Sequence, residues 1–177
     1  MHRLFAAIRP PAVVRDMLID TMDGVAGARW QDDDQLHLTL RFAGEIEGPQ
    51  AEDLADALAR VAGGPFDLAL RGVGYFEKKG LAHTLWAGVE ASEPLAVLQR
   101  RVERACRAAG LAAETRKFAA HITLARLNRA SGPIGGWLAR HALLASKPWR
   151  VEAFALYSSR LTPAGSQYDA LVRYPLG

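Results

Sequence analysis

The chain has a single cysteine, Cys106, among its 177 residues. One thiol excludes an intrachain disulfide, a four-cysteine zinc site and a site built on a cysteine pair with a histidine pair. No stretch approaches the ~18 consecutive apolar residues that span a bilayer. The basic N-terminus meets Pro10 and Pro11 after a very short apolar run, which reads as a strand leading into a helix rather than a secretory signal. The expectation is a cytoplasmic protein with no membrane partner. Lysine is also scarce. Only Lys78, Lys79, Lys117 and Lys147 stand among the 22 basic residues, and the rest are arginine. The guanidinium fork suits phosphate. Abundant Arg with Ala is also what the codon use of a GC-rich genome produces, and a net charge of +3 is too small to single out a nucleic-acid partner.

What is present is an ordinary globular composition, 50% hydrophobic and 23% charged. A chain of this length buries roughly 70% of its unfolded surface without staples. With no linker or low-complexity tract, residues 1–177 read as one domain. Short strands alternate with amphipathic helices. Arg3 to Ile8 is a buried strand, and Pro10 and Pro11 open a helix whose stripe includes Val14 and Leu18. Leu36 to Phe42 alternates, with Leu36, Leu38, Leu40 and Phe42 on one side and His37, Thr39 and Arg41 on the other. Ala51 to Val61 is helical. Phe66 to Phe76 and Leu81 to Val89 form a hairpin around Glu77 to Gly80. Ser92 starts a helix buried through Leu95, Leu98, Val102 and Ala105. Phe118 to Leu127 is a strand and Ile134 to Leu144 a short helix. Trp149 to Ser158 and Tyr168 to Tyr174 close the chain as an antiparallel pair. Helices mixed with hairpins indicate an α+β fold.

The sequence repeats itself once. His37-Leu38-Thr39-Leu40 returns as His121-Ile122-Thr123-Leu124, 84 residues later and close to half a chain length away. Both copies lie in strands. Two halves each offering one such strand predict a bilobal, pseudo-symmetric molecule with an antiparallel sheet in each lobe and a groove between them. Residues i and i+2 of a strand share a face, so His37 with Thr39, and His121 with Thr123, would line that groove. A single H-x-T is common by chance. Two copies that use two of only five histidines are not easily set aside.

Two imidazoles and two hydroxyls suit the opening of a cyclic phosphodiester. One neutral His takes the proton of the attacking water and one charged His protonates the departing oxygen. The Thr hydroxyls donate to the non-bridging oxygens. No metal or other cofactor is needed for this set. Arg41 shares the face of His37 and Thr39 and could reach a phosphate. Arg126 falls on the core parity and reaches the groove only if its strand bulges or ends there.

Paired H-x-T-x motifs resemble the 2H phosphoesterase superfamily, and within it the RNA 2′,3′-cyclic phosphodiesterases, also called 2′-5′ RNA ligases. The resemblance runs through RLFAAI, LHLTLRFAGE, LWAGVE, FAAHITLARL and ALYSSRLTPAGSQYDALVRYPL. Two departures are Ala120, where the family often has proline, and Phe42-Ala43-Gly44, where it usually reads F-L-G. The resemblance implies an RNA substrate with a 2′,3′-cyclic phosphate end, a 2′-phosphate product, and 2′-5′ ligation without ATP as a related activity. It implies His37 as proton donor, His121 as acceptor, and Thr39 and Thr123 as phosphate ligands. A groove within one chain needs no second copy, so a monomer is expected.

Three rival readings share these residues: a 2H enzyme for another small cyclic or 2′-5′ nucleotide, a non-catalytic RNA-binding module, and a zinc hydrolase using His37 and His121. The last lacks a third ligand in evidence. His83 and Thr84 are adjacent and so point to opposite faces. Tyr75 and Phe76 could stack on a base or pack in a hairpin. Asp32, Asp33 and Asp34 read as a solvated loop.

Overall fold

The computed structural model describes residues 2–177. Among these, the chain forms strands β1 (His2–Ile8), β2 (Arg29–Trp30), β3 (Leu38–Ile46), β4 (Phe66–Leu68), β5 (Leu70–Lys78), β6 (Leu81–Val89), β7 (His121–Arg126), β8 (Trp149–Val151), β9 (Ala153–Thr162) and β10 (Gly165–Pro175). The helices are α1 (Ala12–Ile19), α2 (Gly48–Ala59), α3 (Glu93–Ala108) and α4 (Gly135–His141). The main sheet runs β10-β9-β1-β3-β7-β6-β5, with β2 also on β7, and every pairing is antiparallel. The α+β expectation stands.

The two halves meet on one ladder pair. β3 and β7 pair at Leu38 and Ile122, the residues that follow the two H-x-T histidines. The lobes' sheets are therefore continuous. An approximate two-fold relates them there, because each strand presents the same position of its repeat to the other.

Each face of the sheet has its own apolar population. Leu4, Ala6 and Ile8 of β1 join Leu38, Leu40, Ile122 and Leu124 in one core, to which all four helices contribute. Phe5 and Ala7, on the opposite parity, join Ala155 and Tyr157 in a second small cluster that no helix enters. Helix α3 starts where its cap dictates. Ser92 Oγ accepts from Leu95 N at 3.2 Å, and Leu95, Leu98 and Val102 turn inward. The β5–β6 hairpin turns through Lys79 and Gly80 at φ 53° and 78°, the left-handed pair a tight two-residue hairpin requires.

Two long strands are broken where alternation alone reads them as continuous. The segment from Phe66 divides at Ala69, so β4 leaves the main sheet and pairs with β8. The segment from Trp149 divides likewise at Glu152. Both breaks serve the same two-stranded sheet.

Candidate active site

His37 lies at the mouth of β3, just after a 3-10 turn at Asp33–Gln35. The acidic run expected to be a solvated loop instead fixes that turn. Asp33 accepts from Arg15 at 2.9 Å and from Arg9 at 3.1 Å. The Arg15 hydrogen bond, followed by the charges of Arg15 and Arg9, holds the Asp33 carboxyl below its ordinary pKa. Gln35 accepts from Asp32 N at 2.9 Å and donates to Ser166 O at 2.8 Å, tying the turn to β10.

The His37 imidazole is 6% exposed. Aromatic rings stand around it: Tyr157 at 4.5 Å, Tyr168 at 5.6 Å and Phe5 at 6.0 Å between centroids. Neither ring nitrogen has a well-formed hydrogen bond to protein, although the Gln35 carbonyl lies close enough to favour a proton. Burial dominates and pushes the His37 pKa down to about 4, with Arg9 and Arg15 adding to the fall. Folding therefore excludes a proton that the unfolded chain binds below pH ~6.5. Stability falls as pH drops from ~6.5 to ~4, by about 3 kcal/mol in all from this group. Urea titrations across that range should show the fall, and His37→Gln should flatten it.

His121 opens β7. Its Nδ1–H donates to the Ala119 carbonyl at 2.6 Å, which leaves Nε2 as the acceptor nitrogen. Burial lowers its pKa, the Ala119 carbonyl opposes this, and the Arg126 charge lowers it further. Phe76 meets the ring edge to face at 4.8 Å.

Antiparallel register outward from Leu38–Ile122 sets Thr39 toward His121 and His37 toward Thr123. Carried one residue either way from that pair, the register would put the histidines on one diagonal of a quartet and the threonines on the other.

The two arginines exchange the parts that strict alternation assigns them. The β1–β3 ladder skips Leu40, and the β6–β7 ladder skips Leu124. Each is a bulge at the third residue after its histidine, and a bulge re-aims the residues beyond it. Arg41 therefore turns away from the groove. It is 9% exposed and binds Glu103, the Ala112 carbonyl and its own strand at the Phe42 carbonyl. Phe42, expected in the core, is 52% exposed and packs on Phe5. In the second copy Ala125 takes the inward position, and Arg126 comes to the His121 side. Arg126 Nη1 donates to Thr84 Oγ1 at 2.9 Å, and Thr84 Oγ1 also meets His83 Nδ1 at 2.8 Å. The sequence motif does not single out Thr84 or the rings of Tyr157, Tyr168 and Phe5. The parity of Phe5 with Ala7 is the one available signal for the aromatic wall.

Among the described residues, no group of three or more His, Cys, Asp or Glu side chains is arranged to hold a metal ion, and no helix is long and apolar enough to cross a membrane.

The model of the LigT-like phosphoesterase family matches the chain twice, over residues 8–86 and 88–168, with one H-x-T copy in each match. The chain belongs to the LigT-like phosphoesterase family. This LigT-like phosphoesterase is 35% identical to an RNA 2′,3′-cyclic phosphodiesterase of Thermus thermophilus, over 98% of this chain and 90% of that one. It is 32% identical to an RNA 2′,3′-cyclic phosphodiesterase of Geobacillus stearothermophilus over 83% of its own length. It spans about half, 47%, of that relative. A crystal structure of a Thermus thermophilus protein superposes with a TM-score of 0.81 at 30% identity, covering 98% of this chain and 97% of the other.

Proposed function

We propose that this LigT-like phosphoesterase hydrolyses RNA ends bearing a 2′,3′-cyclic phosphate to 2′-phosphates. The observation that carries this reading is the Leu38–Ile122 pair, which joins the two H-x-T strands and supports a diagonal quartet. An in-line displacement at phosphorus needs a base on one side and an acid on the other, and two histidines on a diagonal are suited to that. Water attacks phosphorus and gives its proton to His121 Nε2. The bond from phosphorus to the 3′ oxygen breaks, and His37 protonates that oxygen. The 2′ ester bond remains.

The Ala119 hydrogen bond supports His121 as the acceptor, since it holds the tautomer with a free Nε2 lone pair. His37 is neutral in the free protein near pH 7. A bound phosphodiester anion beside it favours the imidazolium and so raises its pKa toward the working range. Thr39 and Thr123 donate to the non-bridging oxygens, and Arg126 adds charge from the His121 side. Acid, base and anion donors are all side chains, so the reaction proceeds without metal. With an RNA 5′-hydroxyl in place of water, the same step yields a 2′-5′ linkage. The relatives named RNA 2′,3′-cyclic phosphodiesterase support the substrate class. The protein acts in the cytoplasm as a monomer.

The pH dependence tests the assignment. kcat/KM reports the free protein, in which both histidines are depressed, His37 to about 4. Its profile should be bell-shaped with the maximum below pH ~6.5. The kcat profile should move to higher pH, because the bound anion stabilises the His37 imidazolium. Profiles flat from about pH 4 to 9 would contradict paired histidine catalysis.

A further inference from the structure

We propose that the RNA chain upstream of the cyclic phosphate lies across β1, β9 and β10 in an arginine-edged cleft, an inference that rests on the function proposed above. The ladders define the path. Thr39 pairs with Ala7, Ala7 with Ala155, and Ala155 with Arg173. These four residues form one row across four adjacent strands, on the face that carries His37. Three strand spacings separate Thr39 from Arg173, about 14 Å. That is further than the terminal phosphate reaches, so only a longer RNA would meet Arg173.

The middle positions of the row are the small residues Ala7 and Ala155, both buried, and beside them lies a cleft of about 360 Å³. Tyr157 borders both this cleft and the His37 ring, which sets the cleft beside the site. Its charge suits an RNA backbone. Arg150 and Arg173 line it, against one acidic residue, Glu152. Arg173 forms no ion pair among the described residues, and Arg150 holds only an exposed pair with Asp67 at 3.4 Å. Trp149, at the same cleft, is buried with an indole N–H that has no acceptor.

The test compares a nucleoside 2′,3′-cyclic phosphate with a tetranucleotide ending in the same group. The wild type should prefer the tetranucleotide. Arg150→Glu/Arg173→Glu should cut that preference on the order of tenfold and flatten the salt dependence of tetranucleotide binding, by a slope of about 0.7 for each phosphate no longer neutralised. Both arginines are exposed, so the variant should fold. Arg173→Ala is a milder second variant that should show the smaller loss. An unchanged preference in the double variant overturns the proposal. Turnover of neither substrate overturns the proposed function instead. The subsite is then read from the Kd of a tetranucleotide 2′-phosphate, which the double variant should weaken with the reduced salt slope. An equal Kd in both proteins overturns it.

Discussion

Alanine in place of His37 or His121 lowers turnover of a 2′,3′-cyclic phosphate RNA by at least about 10²-fold, the lower range for loss of a general acid or base. The two losses should differ in their pH signature. His121→Ala removes the group whose Nδ1 is already committed to Ala119, so the acid limb of kcat/KM disappears with the rate. His37→Ala removes the donor and leaves a cavity among Phe5, Tyr157 and Tyr168. Because the removed groups act on opposite sides of one displacement, the double variant should be little worse than the more damaged single variant. Steady-state rates on the three variants check this. Full activity in either single variant removes that histidine from the mechanism.

Arg41→Ala unfolds the protein at a much lower temperature than the wild type. Its guanidinium bridges β3 to Glu103 of α3 and to the Ala112 carbonyl, and Glu103 in turn accepts from Glu114 N at 3.0 Å. Removing one partner of a buried pair leaves the other charge uncompensated, at about 3–5 kcal/mol. For a chain of this size each kcal/mol moves the Tm by about 2–4 °C, so a fall of about 6–20 °C is expected. Arg126→Ala should do the opposite. Its Tm should stay near that of the wild type while KM for the RNA rises, because Arg126 faces the quartet and is held by one neutral hydroxyl, Thr84. Calorimetry and steady-state kinetics on both variants separate the roles. A stable Arg41→Ala protein with a raised KM would return that arginine to the groove.

These two arginines also show how far the sequence can be read. The H-x-T repeat locates both strands and both histidines, because alternation holds from His37 to Thr39 and from His121 to Thr123. It fails just beyond, from Arg41 in the first copy and Ala125 in the second. A bulge adds one residue without a characteristic letter, so Arg41 and Phe42 fall on faces opposite to those their spacing assigns. The second copy carries a hint, since Leu124-Ala125 places two small or apolar residues in succession before Arg126. Aligning the copies equates Arg41 with Ala125 and Phe42 with Arg126, an equivalence that reveals the shared bulge once the ladders are known. Asp32 to Asp34 mislead for a different reason. The partners Arg9 and Arg15 are distant in sequence, and nothing local distinguishes a pinned acidic turn from a solvated one. The strand breaks at Ala69 and Glu152 follow from the pairing of β4 with β8, a long-range contact that leaves no local pattern.

The most direct test of two-histidine chemistry at the quartet is hydrolysis of a short RNA with a 2′,3′-cyclic phosphate end in the presence of chelator, with the phosphate position of the product determined. The predicted result is full turnover to a 2′-phosphate with a free 3′-hydroxyl. Loss of activity in chelator, restored by added metal, would contradict it; a 3′-phosphate product would keep the two-histidine chemistry and reverse the substrate orientation.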